Sequence, residues 1–303
     1  MGAQFWSAFI PCQANLTVVT DDVRFTLEQV DLIKNIVRAY PDTFELATST
    51  HDIHRIFKSG KIASLIGLEG SHQVDNSLGN LRMLYELGAR YMTLTHVCHS
   101  PWADSCSMPP VHNGLTEFGE VFIGEMNRIG MMVDISHVSH DTMRHVLRVS
   151  KAPVIFSHSS AYTVCPQPRN VPDDVLKTLS EKDGIVMVNF WPFITACAEN
   201  ATISQVADHI EHIAKVAGPK HVGFGSDFDG ITSTPEGLED VSKYPDLVAE
   251  LLRRGFSDKD VEGVVGRNLL RVFGKVEEVK QQLRYLPPAE DKLFLERSCA
   301  VGA

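Results

Sequence analysis

Long hydrophobic runs are absent from this sequence. A membrane-spanning helix needs about 18 to 20 predominantly apolar residues, and the most apolar stretch, Gly184 to Ala198, is interrupted by Asn189 and Pro192. The amino terminus also lacks the basic region, apolar core and small-residue cleavage site of a signal peptide. We therefore expect neither a membrane span nor a leader in this chain.

Basic residues are fewer than acidic ones. The sequence has 28 Lys and Arg residues and 38 Asp and Glu residues, which gives a formal net charge of −10. The resulting field repels phosphate backbones and anionic membranes, so we expect no nucleic-acid partner. Low-complexity linkers and blocks of like charge are missing too, whereas 44% of the 303 residues are apolar. This composition is typical of one large globular α/β domain, or of two smaller ones.

Several catalytic signatures are also absent. The six cysteines form no C-x-x-C pair, no G-x-S-x-G elbow occurs, and no G-x-G-x-x-G follows a strand. A zinc ribbon, a serine hydrolase and a dinucleotide site are therefore disfavoured. Scattered single cysteines fit free thiols in an intracellular enzyme, whereas the sequons at Asn15 and Asn200 favour a secreted glycoprotein. A chain of this length carries one or two sequons by chance, so both compartments stay open here.

Short β-rich runs alternate with longer amphipathic segments along the chain, which predicts a parallel sheet. The seven strand-like runs are Gln4–Pro11, Ile62–Leu68, Tyr91–Thr95, Met131–Ser136, Val154–Ser157, Ile185–Phe190 and Val222–Ser226. The helical segments are Asp22–Tyr40, Asp75–Leu87, Thr116–Ile129, Ser139–Val149, Pro172–Lys182, Ser204–Ala217 and Asp246–Arg254.

A closed (β/α)8 barrel uses eight strands, so seven runs predict a TIM-like barrel that lacks its first strand–helix unit. An open doubly wound sheet with seven strands is the alternative. No change of composition marks an internal boundary, so we place one barrel domain in residues 1–274 and a tail in residues 275–303.

Metal-capable side chains stand at the carboxyl ends of five of these runs. They are Glu69, His96, His137, His158 and Asp227, and a sixth run, Ile185–Phe190, has Asn189 near its end. Because the carboxyl ends of parallel strands share one edge, we expect these residues to meet in one mouth. Imidazoles and carboxylates are the usual ligands of catalytic zinc, which makes water a nucleophile near neutral pH. A single such His is more often structural, but the repeated placement favours a metal-dependent hydrolase.

Other candidates are weaker. The pairs His51/His54 and His209/His212 lie on predicted polar helix faces without the H-E-x-x-H glutamate, so we interpret them as solvated surface residues. Arg169 follows His158 by eleven residues on a loop above the same mouth. Its guanidinium could clamp a substrate carboxylate, and an ordinary surface arginine is an equally good interpretation.

Several motifs, in order from about residue 3 to about residue 274, resemble those of the membrane (renal) dipeptidases, zinc-dependent enzymes of the amidohydrolase-like barrel superfamily. They include Gly67-Leu68-Glu69-Gly70, Leu94-Thr95-His96, Phe156-Ser157-His158-Ser159-Ser160-Ala161, Arg169-Asn170-Val171-Pro172-Asp173-Asp174 and Gly225-Ser226-Asp227-Phe228-Asp229-Gly230.

The resemblance implies a role for each site residue. Glu69 would bridge two zinc ions, and His137 and His158 would complete the ligands of one of them. His96 would contact the tetrahedral intermediate, Arg169 the substrate carboxylate, and Asp227 the free amine and the transferred proton. The resemblance also implies disulfide bonds Cys12–Cys98 and Cys165–Cys197, and a homodimer bridged near Cys299.

One departure from the family pattern concerns the second zinc. In the family its ligands form a His-x-Asp motif on the first barrel strand, ahead of a Gln-Phe-Trp segment that here occupies residues 4–6. We therefore expect either a fragment or truncated gene model, or a product with half of the bimetal site. Glu69, His137 and His158 could still hold one zinc ion.

The resulting interpretation is a zinc-dependent dipeptidase, in which a metal-bound hydroxide attacks the peptide carbonyl of a dipeptide. The alternative is a truncated, catalytically impaired barrel homologue that retains only binding, and a third reading replaces the dipeptide by another amide or a lactam-like ring. Paired cysteines and the resemblance imply an extracellular or cell-surface location.

Overall fold

Eight parallel strands form one curled sheet in the computed structural model, which describes residues 1–12 and 21–290. The strands are β1 Ala3–Phe9, β2 Phe44–Leu46, β3 Ile62–Glu69, β4 Ala89–Thr93, β5 Met132–Asp134, β6 Ile155–Phe156, β7 Ile185–Val188 and β8 Val222–Phe224. All seven strand pairs are parallel.

Helices connect the strands, and most of them cover the outside of the sheet. They are α1 Asp22–Ala39, α2 Thr50–Lys58, α3 Leu78–Glu86, α4 Glu117–Ile129, α5 His140–Val149, α6 Asp173–Glu181, α7 Pro192–Thr195, α8 Ile203–Ala217, α9 Tyr244–Arg253, α10 Asp258–Glu262 and α11 Asn268–Leu283. Their ends follow local chemistry: α5 begins where the Ser139 hydroxyl accepts the Thr142 N–H, and α4 ends at Gly130 with a φ of 85°. None of the described helices combines the length and apolar composition needed to cross a bilayer.

The strand order is β1-β3-β4-β5-β6-β7-β8, and the short β2 pairs with the beginning of β3. This order increases steadily along the chain, whereas a doubly wound sheet reverses its order at a switch point. The doubly wound alternative is therefore wrong, and the described residues form a curled half-barrel. Strands β1 and β8 lie at the two ends of this path and are not paired with each other, which agrees with a barrel one unit short of closure.

Two apolar clusters pack on the two faces of the sheet. Alternation along β3 sends Ile66 and Leu68 into the larger cluster, beneath the outer helices, and Leu65 into the smaller one. Helix α11 contributes Val272, Phe273 and Val276 to the smaller cluster. This helix is continuous through residue 274, and the division into residues 1–274 and 275–303 stays a prediction.

Both implied disulfide bonds are present. Cys12, beyond the end of β1, is bonded to Cys98, and Cys165 is bonded to Cys197. Each bond joins loops at the carboxyl edge of the sheet, where the predicted site residues lie. Cys299 and the Asn15 sequon lie outside the described residues.

Candidate metal centre

Three side chains converge at the carboxyl edge of the sheet. Glu69 is the last residue of β3, and His137 and His158 follow the ends of β5 and β6. Glu69 Oε1 lies 3.2 Å from Nε2 of each histidine, and the two Nε2 atoms are 2.8 Å apart. Within the described residues this is the group of three whose ligand atoms approach closely enough to hold a metal ion.

His96 lies beside this trio. Its Nε2 is 3.8 Å from Glu69 Oε1, and its ring centroid is 4.4 Å from that of His137. Burial lowers the pKa of His96 to about 4, and the nearby charges of Arg169 and His158 act in the same direction against that of Glu69. His96 is therefore a neutral imidazole near pH 7, able to donate one hydrogen bond.

The charge states of the trio follow from mutual contact in a buried place. Burial favours the neutral form of Glu69, but the contacts of its carboxylate with His137 and His158 hold its pKa well below the ordinary value. Burial and the positive Arg169 lower the pKa of His137 well below its usual range. An anionic carboxylate beside a neutral imidazole is the state in which both groups ligate metal.

Glu69 has a further partner that the sequence did not reveal. The Ser7 hydroxyl, on β1, donates to Glu69 Oε2 at 3.2 Å. Ser7 lies opposite Gly67 in the register between β1 and β3, so the adjacent strand delivers this donor. The contact turns Oε1 of Glu69 toward the histidines.

Asp227 lies on the far side of the mouth, beyond β8. Its backbone φ is 64°, and Gly230 packs so closely that an added Cβ would lie 2.3 Å from Asp227 Oδ1. Asn189 Nδ2 donates to Asp227 Oδ2 at 3.0 Å. Burial raises the pKa of Asp227 above its ordinary value, as does the charge of Glu69, whereas His158, Arg169 and Asn189 oppose the rise.

Arg169 reaches the same mouth from the loop after β6. Its guanidinium donates to the Ser159 hydroxyl at 3.2 Å and to the His158 carbonyl at 3.0 Å. No carboxylate of the described residues lies within 4.0 Å of it. The half-buried cation is thus held in place while its charge stays available for an anion.

The loop after β4 covers the trio from above. Its Ser105 hydroxyl donates to the His96 carbonyl at 2.6 Å, and the Cys106 N–H donates to the His137 carbonyl at 2.8 Å. Below it, a cavity of about 1300 Å³ extends from Glu69, His158 and Asp227 into the space between β1 and β8. Its walls are largely apolar, with Phe5 and Phe273 among them.

Most of the chain matches one protein family. The model of the membrane dipeptidase family, peptidase family M19, matches residues 1–286. The chain belongs to this family. Dipeptidase aclJ of Aspergillus oryzae is 50% identical over 306 residues, which cover 98% of this chain and 72% of that protein. Dipeptidase 3 of Rattus norvegicus is 49% identical over 302 residues, covering 98% of this chain and 60% of that protein.

Solved structures share the fold of this membrane dipeptidase family member. An amidohydrolase from Pseudomonas aeruginosa superposes with a TM-score of 0.81 at 25% identity, covering 91% of this chain and 89% of that one. A metallo peptidase from Rhodobacter sphaeroides, liganded with a phosphinate mimic of the dipeptide L-Ala-D-Ala, has a TM-score of 0.78 at 25% identity. The match covers 84% of this chain and 75% of that chain.

The sequence predicts that the four histidines of the pairs His51/His54 and His209/His212 are solvated surface residues. This prediction is wrong for one of them. His209 is fully buried, and both of its ring nitrogens have partners there. Its Nδ1 accepts the Ala161 N–H at 2.9 Å and its Nε2 donates to the Thr195 carbonyl at 2.7 Å. His51 and His54 are exposed as expected, and His212 is partly buried against Asp173. None of the four belongs to the trio.

Proposed function

We propose that this protein is a zinc-dependent dipeptidase. The observation that carries the proposal is the convergence of Glu69, His137 and His158 at the carboxyl edge of a half-barrel sheet, in a chain of the membrane dipeptidase family. One carboxylate oxygen and two imidazole nitrogens form the donor set that catalytic zinc takes. The two Nε2 atoms, 2.8 Å apart, and Glu69 Oε1, 3.2 Å from each of them, lie close enough together for one ion to bind all three.

Each residue around the trio has a role in this proposal. When bound, zinc supplies Lewis-acid chemistry, which polarises a carbonyl oxygen and makes water acidic near neutral pH. Three residues would hold the ion, namely Glu69, His137 and His158. Glu69 is kept in position by the hydrogen bond from Ser7. Neutral His96 donates a hydrogen bond to the oxygen on the reacting carbon as negative charge develops there.

Two oppositely charged side chains of the protein bind the two ends of the substrate. Arg169, whose guanidinium has no carboxylate partner in the described part of the chain, takes the terminal carboxylate. The Asp227 carboxylate binds the free amine. It also accepts a proton and transfers it to the leaving nitrogen. A ligand with both charges close together, as in a dipeptide, suits this pair.

Release of amino acids from a peptide panel tests the proposal on the full chain supplied with zinc. Dipeptides should be hydrolysed. N-acetylated dipeptides, which lack the amine that Asp227 binds, and tripeptides, whose two terminal charges lie farther apart than those of a dipeptide, should react far more slowly. Cleavage of blocked amides or lactam rings in preference to dipeptides would contradict the proposed substrate. The similarity to dipeptidases does not favour the alternative hypothesis of a catalytically impaired homologue. Absence of any turnover from a zinc-loaded chain would support that alternative.

Compartment and assembly belong to the same proposal. Two disulfide bonds suit an oxidising environment, so we place the protein outside the cell or at its surface. Asn200 is exposed and available for glycosylation. A homodimer bridged at Cys299 stays a prediction, which mass analysis under non-reducing conditions can check.

A further inference from the structure

A buried chain of hydrogen bonds runs away from the trio behind His158. Its Nδ1 lies 2.7 Å from the Ser157 hydroxyl oxygen, which lies 2.5 Å from Asp134 Oδ2. Asp134 is completely buried. Its carboxylate also faces the Thr93 hydroxyl and the backbone N–H groups of Ser136 and Ser157.

The direction of each hydrogen bond in this chain follows from the donor count. Four donors surround the Asp134 carboxylate, which matches the four acceptor positions of its ionised form. Ser157 has one hydroxyl proton, and donating it to Asp134 leaves only acceptor capacity toward His158. In its neutral form His158 must then carry its proton on Nδ1, so Nε2 presents a bare lone pair toward Glu69 and His137.

His137 has no comparable support. Its Nδ1 is buried and has no hydrogen-bond partner in the described residues. Both histidines aim Nε2 at the same Glu69 oxygen, but only His158 has its tautomer determined by neighbouring groups. The two nitrogens of the trio therefore differ before any ion arrives.

We propose that Ser157, held by Asp134, is a positioning residue that fixes His158 as the Nδ1–H tautomer and so prepares Nε2 to ligate metal. This inference rests on the proposed function in that a metal ion occupies the trio. Removal of such a partner behind a ligating histidine lowers metal affinity by roughly 10- to 100-fold in other proteins.

Zinc affinity of the full chain, measured by competition with a chromophoric chelator, tests the proposal. Ser157→Ala should weaken zinc binding by roughly 10- to 100-fold, and Ser157→Thr, which restores the hydroxyl, should recover most of the loss. Thr93→Val is the matched control, since it removes the other hydroxyl on Asp134 Oδ2 without touching the His158 ring. Unchanged affinity in Ser157→Ala, or an equal loss in Thr93→Val, would overturn the proposal.

Nitrogen NMR of the metal-free protein, labelled at histidine, provides a second readout. At a pH above the pKa of its imidazolium, His158 should show a protonated Nδ1 and an unprotonated Nε2, with its signal assigned by the His158→Gln variant. An Nε2–H tautomer in the unsubstituted protein would overturn the inference, even if Ser157→Ala fails to fold. Failure of the unsubstituted chain to bind zinc would instead count against the proposed function, because the tautomer is read without metal.

Discussion

Asn189 Nδ2 donates to Asp227 Oδ2 at 3.0 Å, from the end of β7 to the loop beyond β8. The Trp191 N–H donates to Asn189 Oδ1, and this contact fixes the orientation of the amide. Asn189 is the one residue of the predicted strand-end set whose side chain does not ionise. Its position shows that this strand end contributes to the site as well, by holding the carboxylate of its neighbour.

Replacement of Asn189 by Leu should move the acid limb of the kcat/KM profile to higher pH. The amide stabilises the ionised form of Asp227, so its loss raises a pKa that burial already holds above the ordinary value. Protonated Asp227 cannot bind an amine or accept a proton, and activity is then lost earlier on acidification. The matched control is Asn127→Leu, a buried amide that contacts Ser150 and the backbone at Lys151. An acid limb that stays in place in Asn189→Leu would contradict the assignment.

Glu69→Gln should abolish metal binding and turnover together. The substitution preserves the shape of the side chain but removes the charge that faces both His137 and His158. Because a catalytic metal contributes several kcal/mol to the transition state, kcat/KM should fall by at least about a thousandfold. Metal content and peptide hydrolysis, measured on the same samples, check this.

Glu125→Gln is the control for that variant. Glu125 is also a buried carboxylate, but it is paired with Arg82 and Arg128 away from the trio. Its replacement should lower the free energy of unfolding and leave metal content unchanged. Equal loss of metal from both variants would mean that Glu69 acts through folding rather than as a ligand.

Arg169→Met should remove discrimination between a dipeptide and its C-terminal amide. A charge-assisted contact contributes about 1.5 to 3 kcal/mol, so the kcat/KM ratio of the two substrates should fall by roughly 10- to 100-fold. Arg144→Met removes an exposed arginine that pairs with Asp141 and Asp174, and it should leave the ratio unchanged. A ratio preserved in Arg169→Met would favour the surface-arginine interpretation.

The strand ends could be predicted from sequence because a parallel sheet brings them to one edge whatever the details of packing. Strand β2 could not, since the three residues Phe44–Leu46 are too few to show a period. The predicted boundary at residue 274 falls inside helix α11, because the resemblance to the family ends there. Only the structure shows that Val272, Phe273 and Val276 pack on the sheet.

The other features that the sequence did not predict depend on hydrogen-bond partners that are distant in sequence. The sequence predicts an exposed His209, yet its two ring nitrogens bond to backbone groups that lie 48 and 14 residues away. Ser7 contacts Glu69 across 62 residues in the same way. Residue types at strand ends predict which groups can do chemistry, whereas the groups that hold them in position depend on the register of neighbouring strands.

Each disulfide bond should contribute substantially to stability. Closing a loop reduces the conformational entropy of the unfolded chain, and loss of one bond costs about 2 to 5 kcal/mol, more for the longer loop. The Cys12→Ser/Cys98→Ser variant opens a separation of 86 residues and Cys165→Ser/Cys197→Ser one of 32, so the first should lose more. Cys106→Ser, at the free cysteine of the described residues, is the control and should unfold as the unsubstituted protein does. Urea unfolding with and without reductant measures these differences, and a double variant as stable as the oxidised protein would show that the corresponding bond does not form.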